Sequence, residues 1–191
     1  MSTHDTIIDA AMAIVRDQGV AKLTLDAAAK AAHLSKGGVL YHFKSKDDLV
    51  RGMVQRLIDR CEEVNLDHYR REPEGPYRWA RTLVRAFFDP NGPANDPVGG
   101  ALLAAITINP YLMAPIHAMY ARWQEHLAGD SPDPERAKLI CAAMDGLYFR
   151  RLMGIPLGDA AAGERLLRHA LGLLGAGEDA GGDAGGDGGA G

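Results

Sequence analysis

Cysteine is almost missing from this 191-residue chain: there are two, Cys61 and Cys141. They lie far apart and match no C-x-x-C or metal-ligand spacing, which excludes a disulfide framework and a zinc module. What remains is a pair of free thiols, expected to be buried or inert in a reducing compartment. An excess of basic residues is missing as well. Lys and Arg number 21 against 25 Asp and Glu, for a formal net charge of −4. A diffuse cationic surface is therefore not on offer to a polyanion, and any such contact must come from cations placed locally. Four of the acids (Glu178, Asp179, Asp183 and Asp187) sit in the stretch from Ala170 onward, which has no Lys or Arg. The rest of the chain is balanced.

Long hydrophobic runs are absent too. The longest, Val98 to Ile108, stops at Asn109-Pro110 and falls short of the roughly 20 residues a membrane span needs. No basic segment followed by an apolar one opens the chain, so it is expected to be soluble and cytoplasmic, with no membrane partner. Catalytic signatures are lacking. The histidines (His4, His33, His42, His68, His117, His126 and His169) form no H-x-x-x-H, and there is neither a G-x-S-x-G nor a phosphate-cradling glycine loop. No cofactor, metal site or catalytic residue is expected, and the chain is not read as an enzyme. No stretch alternates polar and apolar with a period of two, so strands are not expected.

What is present is helical periodicity. A 47% hydrophobic content excludes a wholly disordered chain. Ile7, Ile8, Ala11, Met12, Ile14 and Val15 mark a first helix over 5–18, ended by Gly19. Later helices are expected over 25–32, 36–43, 46–69, 77–88, 98–108, 115–128, 135–153 and 160–174. The Pro- and Gly-rich stretches at 72–76, 89–97 and 129–134 separate several of them. The fold class is all-α with about nine helices. The tail from Gly175 is Gly, Ala and acid only, and has no side chains to offset its ordering entropy. It is expected to be disordered over 175–191.

The informative stretch is Thr24 to Asp48, T-L-D-A-A-A-K-A-A-H-L-S-K-G-G-V-L-Y-H-F-K-S-K-D-D. It reads as two short helices joined by a His33-Leu34-Ser35 turn, then the capped start of a third, with the helix-turn-helix at 24–43. That is the unit that lays a helix in the major groove of DNA. Thr24, Ser35 and Ser45 are good N-caps, and Asp48 completes a carboxylate capping box with Ser45. The second helix of the pair opens Lys36-Gly37-Gly38, at a propensity cost of about 1–2 kcal/mol for two glycines. A structural helix has no use for that loss, whereas one whose backbone must approach DNA does. Lys36 suits guanine O6/N7, Tyr41 a phosphate or thymine methyl, and Lys46 a phosphate. His42 is a further candidate contact, whereas Phe43 reads as core.

These residues carry a resemblance. The first-helix I-I-D-A-A-x-x-I-V with Gly19, then L-T-L-D, then L-S-K-G-G-V-L-Y-H-F-K-S-K-D-D-L, resemble the TetR family of bacterial transcriptional regulators over residues 5–55. The resemblance implies a homodimer of all-α subunits. A three-helix DNA-binding domain (1–50) would be joined to a domain (51–174) that binds a small effector and dimerises through its last two long helices. It implies DNA-binding roles for Thr24, Ser35, Lys36, Gly37, Tyr41, His42 and Lys46, and double-stranded operator DNA as the partner. Three departures stand out. His33 occupies a turn position usually filled by Gly, Leu40 replaces a frequent aromatic, and no basic arm precedes the first helix.

For the effector, Trp79, Phe87, Phe88, Met113, Tyr120, Trp123, Met144 and Tyr148 are the candidate lining, since pockets between helices are mostly apolar. The same side chains would serve equally as ordinary core. Arg150-Arg151 are expected in surface or interface salt bridges. The expected function is a ligand-responsive, sequence-specific transcriptional repressor. The alternative is a helical small-molecule binder or enzyme whose helix-turn-helix no longer holds DNA.

Overall fold

The computed structural model describes residues 2–106, 109–159 and 161–175. Among these, nine α-helices and three short 3-10 turns make up the regular structure, and there is no strand. The helices are α1 (Thr3–Gln18), α2 (Leu25–Ala31), α3 (Lys36–His42), α4 (Lys46–Arg71), α5 (Arg78–Phe88), α6 (Pro97–Ile106), α7 (Ala114–Asp130), α8 (Pro134–Leu152) and α9 (Ala162–Leu173). Most ends fall within one or two residues of the sequence expectation, and two helices run on past their expected ends. Helix α4 continues to Arg71, and α7 runs through Gly129 to Asp130, where a loop is expected. The tail expected to be disordered lies outside the described residues from 176 onward, as do 107 and 108 at the end of the expected sixth helix. No described helix is long and apolar enough to cross a membrane.

Helices α1 to α4 close around one core. Ile7, Ile8, Ala11 and Val15 of α1, Ala28 and Ala29 of α2, Val39 of α3 and Leu49, Val50 and Met53 of α4 form it. The small residues of α2 let α1 and α3 approach closely. Phe43 ends α3 and is buried at 3% exposure, the core role expected of it. Its ring lies against Gly52 of α4, where an added Cβ would sit 3.0 Å from the ring and 3.3 Å from Ile8, so any larger residue would push these side chains aside. The same core takes in Val98 and Leu102 of α6, with Leu112 and Met119 beyond it. The front of the chain is thus packed directly against α6.

Helix α5 is the centre of a second core. Eight of its residues are buried, including Trp79, Leu83, Val84 and Phe87, and it is surrounded by Leu127, Ala137, Ile140, Met144, Ala170, Leu171 and Leu174. Its start is not capped by its own sequence. Tyr77 holds a left-handed φ of 59°, and the first-turn amides are satisfied from the end of α7: Tyr77 N–H donates to the Asp130 carbonyl (3.0 Å) and Trp79 N–H to Asp130 Oδ2 (2.6 Å).

The bend between α4 and α5 is held by a buried ionic knot. The Glu72 carboxylate takes Arg81 Nε on one oxygen (2.7 Å) and Arg85 Nε on the other (2.6 Å). Arg81 also donates to the carbonyls of Pro73 (2.7 Å) and Pro76. Arg78 reaches back to the carbonyls of Tyr69 and Glu72 at the end of α4.

Candidate nucleic-acid interface

The local geometry of 24–48 follows from three caps of one kind. Thr24 Oγ1 accepts from Ala27 N–H (3.0 Å), Ser35 Oγ from Gly38 N–H (3.0 Å) and Ser45 Oγ from Asp48 N–H (3.0 Å). Each sets where a helix begins, at about 1 kcal/mol per cap. Between the first two helices the chain turns at His33, whose φ of 56° is left-handed. Histidine tolerates this conformation better than β-branched residues do. The turn expected from the sequence is the turn observed. Leu34 packs inward against the core, and its N–H closes on the Ala29 carbonyl at 2.9 Å.

With α1 and α4 covering its inner side through Val39 and Phe43, α3 leaves its other face open. Tyr41 is the most prominent group there, at 78% exposure. Gly37 is exposed, and a Cβ added to it would meet only Ser35 Oγ, at 3.9 Å. Nothing inside the protein therefore requires glycine at 37. The bare surface it leaves is of use only to something outside.

The cations of this face are parked on internal partners. Lys36 Nζ pairs with Asp26 of α2 at 3.1 Å, both side chains being mostly exposed. An ion pair of this kind is worth about 0–1 kcal/mol, so exchange of Asp26 for a phosphate or base edge is cheap. Lys46 Nζ donates to the Val20 carbonyl at 3.3 Å, across the turn between α1 and α2. Lys44, which sequence reasoning passed over, donates to the carbonyls of Leu40 (2.9 Å) and Tyr41 (3.3 Å) and lies 5.8 Å from the centre of the Tyr41 ring. Its signal was available: a lysine just past a short helix, where the last carbonyls lack partners. His42 is only half exposed. Its ring meets Tyr41 edge-on at 5.1 Å and His4 at 6.1 Å, so it buttresses Tyr41 from the side.

Behind the face, Arg56 of α4 pairs with both Asp5 (2.5 Å) and Asp9 (3.3 Å) of α1. The Ser2 hydroxyl and N–H hold the Asp5 carboxyl below its usual range in the capping box that starts α1.

The eight residues proposed from sequence for the effector do not gather in one place. Trp79, Phe87, Phe88, Met144 and Tyr148 belong to the second core, Met113 and Tyr120 pack on the first, and Trp123 touches both. Trp79, Phe87 and Met144 are buried as ordinary core, and Trp79 lies against Tyr69 and His126. Among the described residues Arg150 and Arg151 pair with no acid, where a surface or interface salt bridge is expected. Arg150 binds the Pro156 carbonyl, while Arg151 takes Asn95 Oδ1 at 2.7 Å and stacks on Phe87 at 4.8 Å. Both are satisfied by loop oxygens rather than by acids, six residues away along the chain for Arg150 and 56 for Arg151. Among the described residues no cluster of His, Cys, Asp and Glu is arranged to hold a metal.

Both cysteines are free and partly buried. Burial pushes the Cys61 thiol up to about 11, and burial with the nearby Asp145 charge pushes Cys141 up to about 12. Only the thiolate reacts, so neither is poised for redox chemistry. In the folded protein, labelling by a thiol-disulfide reagent at pH 8 is expected to run roughly a hundredfold slower than in urea. Rapid native labelling of either residue would contradict this placement.

Comparison with known proteins agrees with this geometry at both ends of the chain. Residues 7–53 match the model described as bacterial regulatory proteins, tetR family, and residues 77–175 match a tetracyclin repressor-like C-terminal domain, which alone spans more than half the chain. The HTH-type transcriptional regulator AcrR of Shigella flexneri is 29% identical over 82 residues, covering 43% of this chain and 38% of that relative's length. Among solved structures, a transcriptional regulator from Rhodococcus sp. Rha1 aligns with a TM-score of 0.73 at 20% identity, over 92% of this chain and 97% of the other. The multidrug binding protein EbrR in complex with ethidium aligns with a TM-score of 0.67 at 21% identity, over 91% and 99% of the two chains. Together, a capped helix-turn-helix with one open face and family matches to both halves place this chain in the TetR family of bacterial regulatory proteins.

Proposed function

We propose that the protein is a homodimeric repressor that binds a specific operator through α3 and is released from it by a small-molecule effector held in the C-terminal helices. The observation that carries this is the open face of α3. It combines an exposed Tyr41, a glycine at 37 that internal packing does not require, and Lys36 held only by a weak surface pair. Tyr41 and Lys36 would contact DNA directly. Thr24, Ser35 and Lys46 would sit at phosphates, and His42 would hold Tyr41 in place. Phosphate contacts position such a helix and base contacts specify it.

Among the described residues, dimerisation is supported by apolar side chains that α8 and α9 leave bare. Leu139 (72%), Phe149 (54%), Met153 (51%) and Leu173 (49%) are large apolar side chains in water, with Ala142, Ala143 and Gly146 exposed between them. A stripe of large and small residues of this kind suits close packing of a second helix pair. Two recognition helices then need a separation of about 34–36 Å to enter successive grooves. A Leu139→Glu, Phe149→Glu double variant is expected to elute as a monomer, because each lost side chain withholds about 1.5–3 kcal/mol of burial per copy. Light scattering reads the mass, and an intact dimer would exclude this face as the interface.

Helix α4 connects the two halves, from the Ser45 cap to the Glu72 knot, and α6 lies on α1. An effector that prefers another spacing of the halves lowers operator affinity by its differential binding energy, typically about 1–3 kcal/mol. EbrR in its ethidium complex is a fold relative with a small molecule bound, which favours a small-molecule effector here. The test is a gel shift with the full-length protein on the DNA upstream of its own gene. Retardation of a palindromic site is expected, and failure on every such site with the dimer intact would overturn the proposal.

A further inference from the structure

An acid stands on the face that the proposed function gives to DNA. Asp26 is the second residue of α2, and Lys36 is the first of α3. Lys36 Nζ lies between the two Asp26 carboxylate oxygens, at 3.1 and 3.2 Å, with the side chains 62% and 59% exposed. Among the described residues no other hydrogen bond or ion pair holds the Asp26 side chain. The fold has little need of it. Thr24 already caps α2 at the Ala27 N–H, and an exposed ion pair adds little stability. The other acids of this stretch are placed differently: Asp47 accepts from Asn109 Nδ2 (2.8 Å), and Asp48 pairs with Arg51 (3.0 Å). Neither of those partners is a proposed DNA contact, whereas the partner of Asp26 is.

The first residues of a recognition helix are those that meet base edges. When Lys36 turns to a base, Asp26 loses its donor in an interface lined with phosphates. A carboxylate left in that position is penalised by lost hydration and by repulsion from the phosphates. Phosphate oxygens accept and do not donate. The donors that the major groove does offer are amino groups, cytosine N4 and adenine N6. Lys36 meanwhile needs acceptors. In a G·C pair the guanine N7 and O6 acceptors lie side by side, and cytosine N4 follows directly. Two acceptors for the ammonium thus adjoin one donor for the carboxylate. The ammonium and carboxylate already sit a hydrogen-bond length apart, the spacing at which O6 and N4 face each other within the base pair. An A·T pair interleaves its groups as N7, N6 and O4, which separates the two acceptors and adds the thymine methyl.

We infer that Asp26 and Lys36 together read one G·C base pair in each half-site, Lys36 through guanine O6/N7 and Asp26 through cytosine N4. This rests on the reading of α3 as the operator-binding helix and goes further, in naming the base pair and in giving an acid a part in specificity. Asp26 adds no affinity for DNA at large. Wherever no amino group faces it, its charge opposes binding, so it rejects wrong sequences as well as selecting the right one.

The test is selection by the full-length protein from duplexes with a randomised centre, followed by titration of the enriched site and its single-base variants at one salt concentration. Wild type is expected to enrich a palindrome with a G·C pair, in one orientation, at the same place in each half-site. Exchanging that pair for any of the other three should weaken binding by roughly 5- to 150-fold per half-site. Asp26→Ala should bring this discrimination below about threefold at that position alone. The same variant should bind a mixed-sequence duplex more tightly than wild type, since a negative charge has been removed. Lys36→Ala should relax the same position. Both side chains are exposed, so both variants should melt with wild type. An Asp26 that served only the fold would give a lower melt and an equal loss on every sequence. An Asp26→Ala variant that keeps the wild-type preference, relaxation of different positions by the two variants, or an A·T pair at the shared position would each overturn the inference. An enriched palindrome without the shared G·C pair defeats this inference alone. A wild-type dimer that enriches no palindrome defeats the operator reading, and this inference with it.

Discussion

An Arg81→Met variant is expected to lose about 3–5 kcal/mol of folding stability, the range for removing one partner of a buried ion pair. Arg81 and Glu72 have side-chain exposures of 6% and 2%, so neither can recover its lost bonds from water. Without Arg81, one Glu72 oxygen loses its donor and the carbonyls of Pro73 and Pro76 lose theirs. Arg85 keeps the other oxygen, which places the loss toward the lower end. The apolar double variant Glu72→Met, Arg81→Met should recover part of it, because no stranded charge remains. Urea titration of wild type, single and double variants reads all three. A single variant within 1 kcal/mol of wild type would show that the knot is not what holds the bend. Since α4 runs from that bend to the DNA-binding helices, the single variant should also blunt release by effector.

Gly37→Leu is expected to separate folding from function. Open space surrounds the Cβ position, so the side chain costs no packing, and exchanging glycine inside a helix should stabilise α3 by up to about 1 kcal/mol. Operator binding should nevertheless fall by two orders of magnitude or more, since the added side chain stands between the helix and DNA in both subunits of a dimer. Tyr41→Ala should weaken binding by a smaller factor, about 1–3 kcal/mol per half-site if the ring and hydroxyl meet the groove edge. Filter binding at a fixed salt concentration, set beside thermal melts, measures both. A Gly37→Leu protein that melts higher and still binds its operator would show that α3 does not enter the groove. A protein that melts lower would show that glycine serves the fold after all.

Much of this was legible in the sequence because it is local chemistry. A serine or threonine three residues before a free amide is a cap wherever it occurs, and Thr24, Ser35 and Ser45 each accept at 3.0 Å as read. His33 turned left-handed at the position where the two helices part. The apolar spacing of α1 marked Ile7, Ile8, Ala11 and Val15 as core, and all are buried. The aromatic residues of the C-terminal half were less legible. Composition and spacing single them out equally, yet Trp79 and Phe87 became core while Tyr120 donates to a carboxylate and Trp123 lies against the Tyr120 ring.

By itself, then, the sequence determined where helices start and stop in the first fifty residues, which side of α3 faces inward, and that Tyr41 and Gly37 remain outside. Those outcomes depend on neighbours within about one helical turn, which the chain cannot rearrange. The tertiary structure alone decided the partners that lie more than two helical turns away along the chain. Asp130 caps α5, Lys36 rests on Asp26, Glu72 is buried under two arginines, α6 is laid on α1, and Asp145 meets Tyr120. Such pairs are chosen by how helices pack, and a charge or hydroxyl carries no mark of its distant partner until packing has brought the two together.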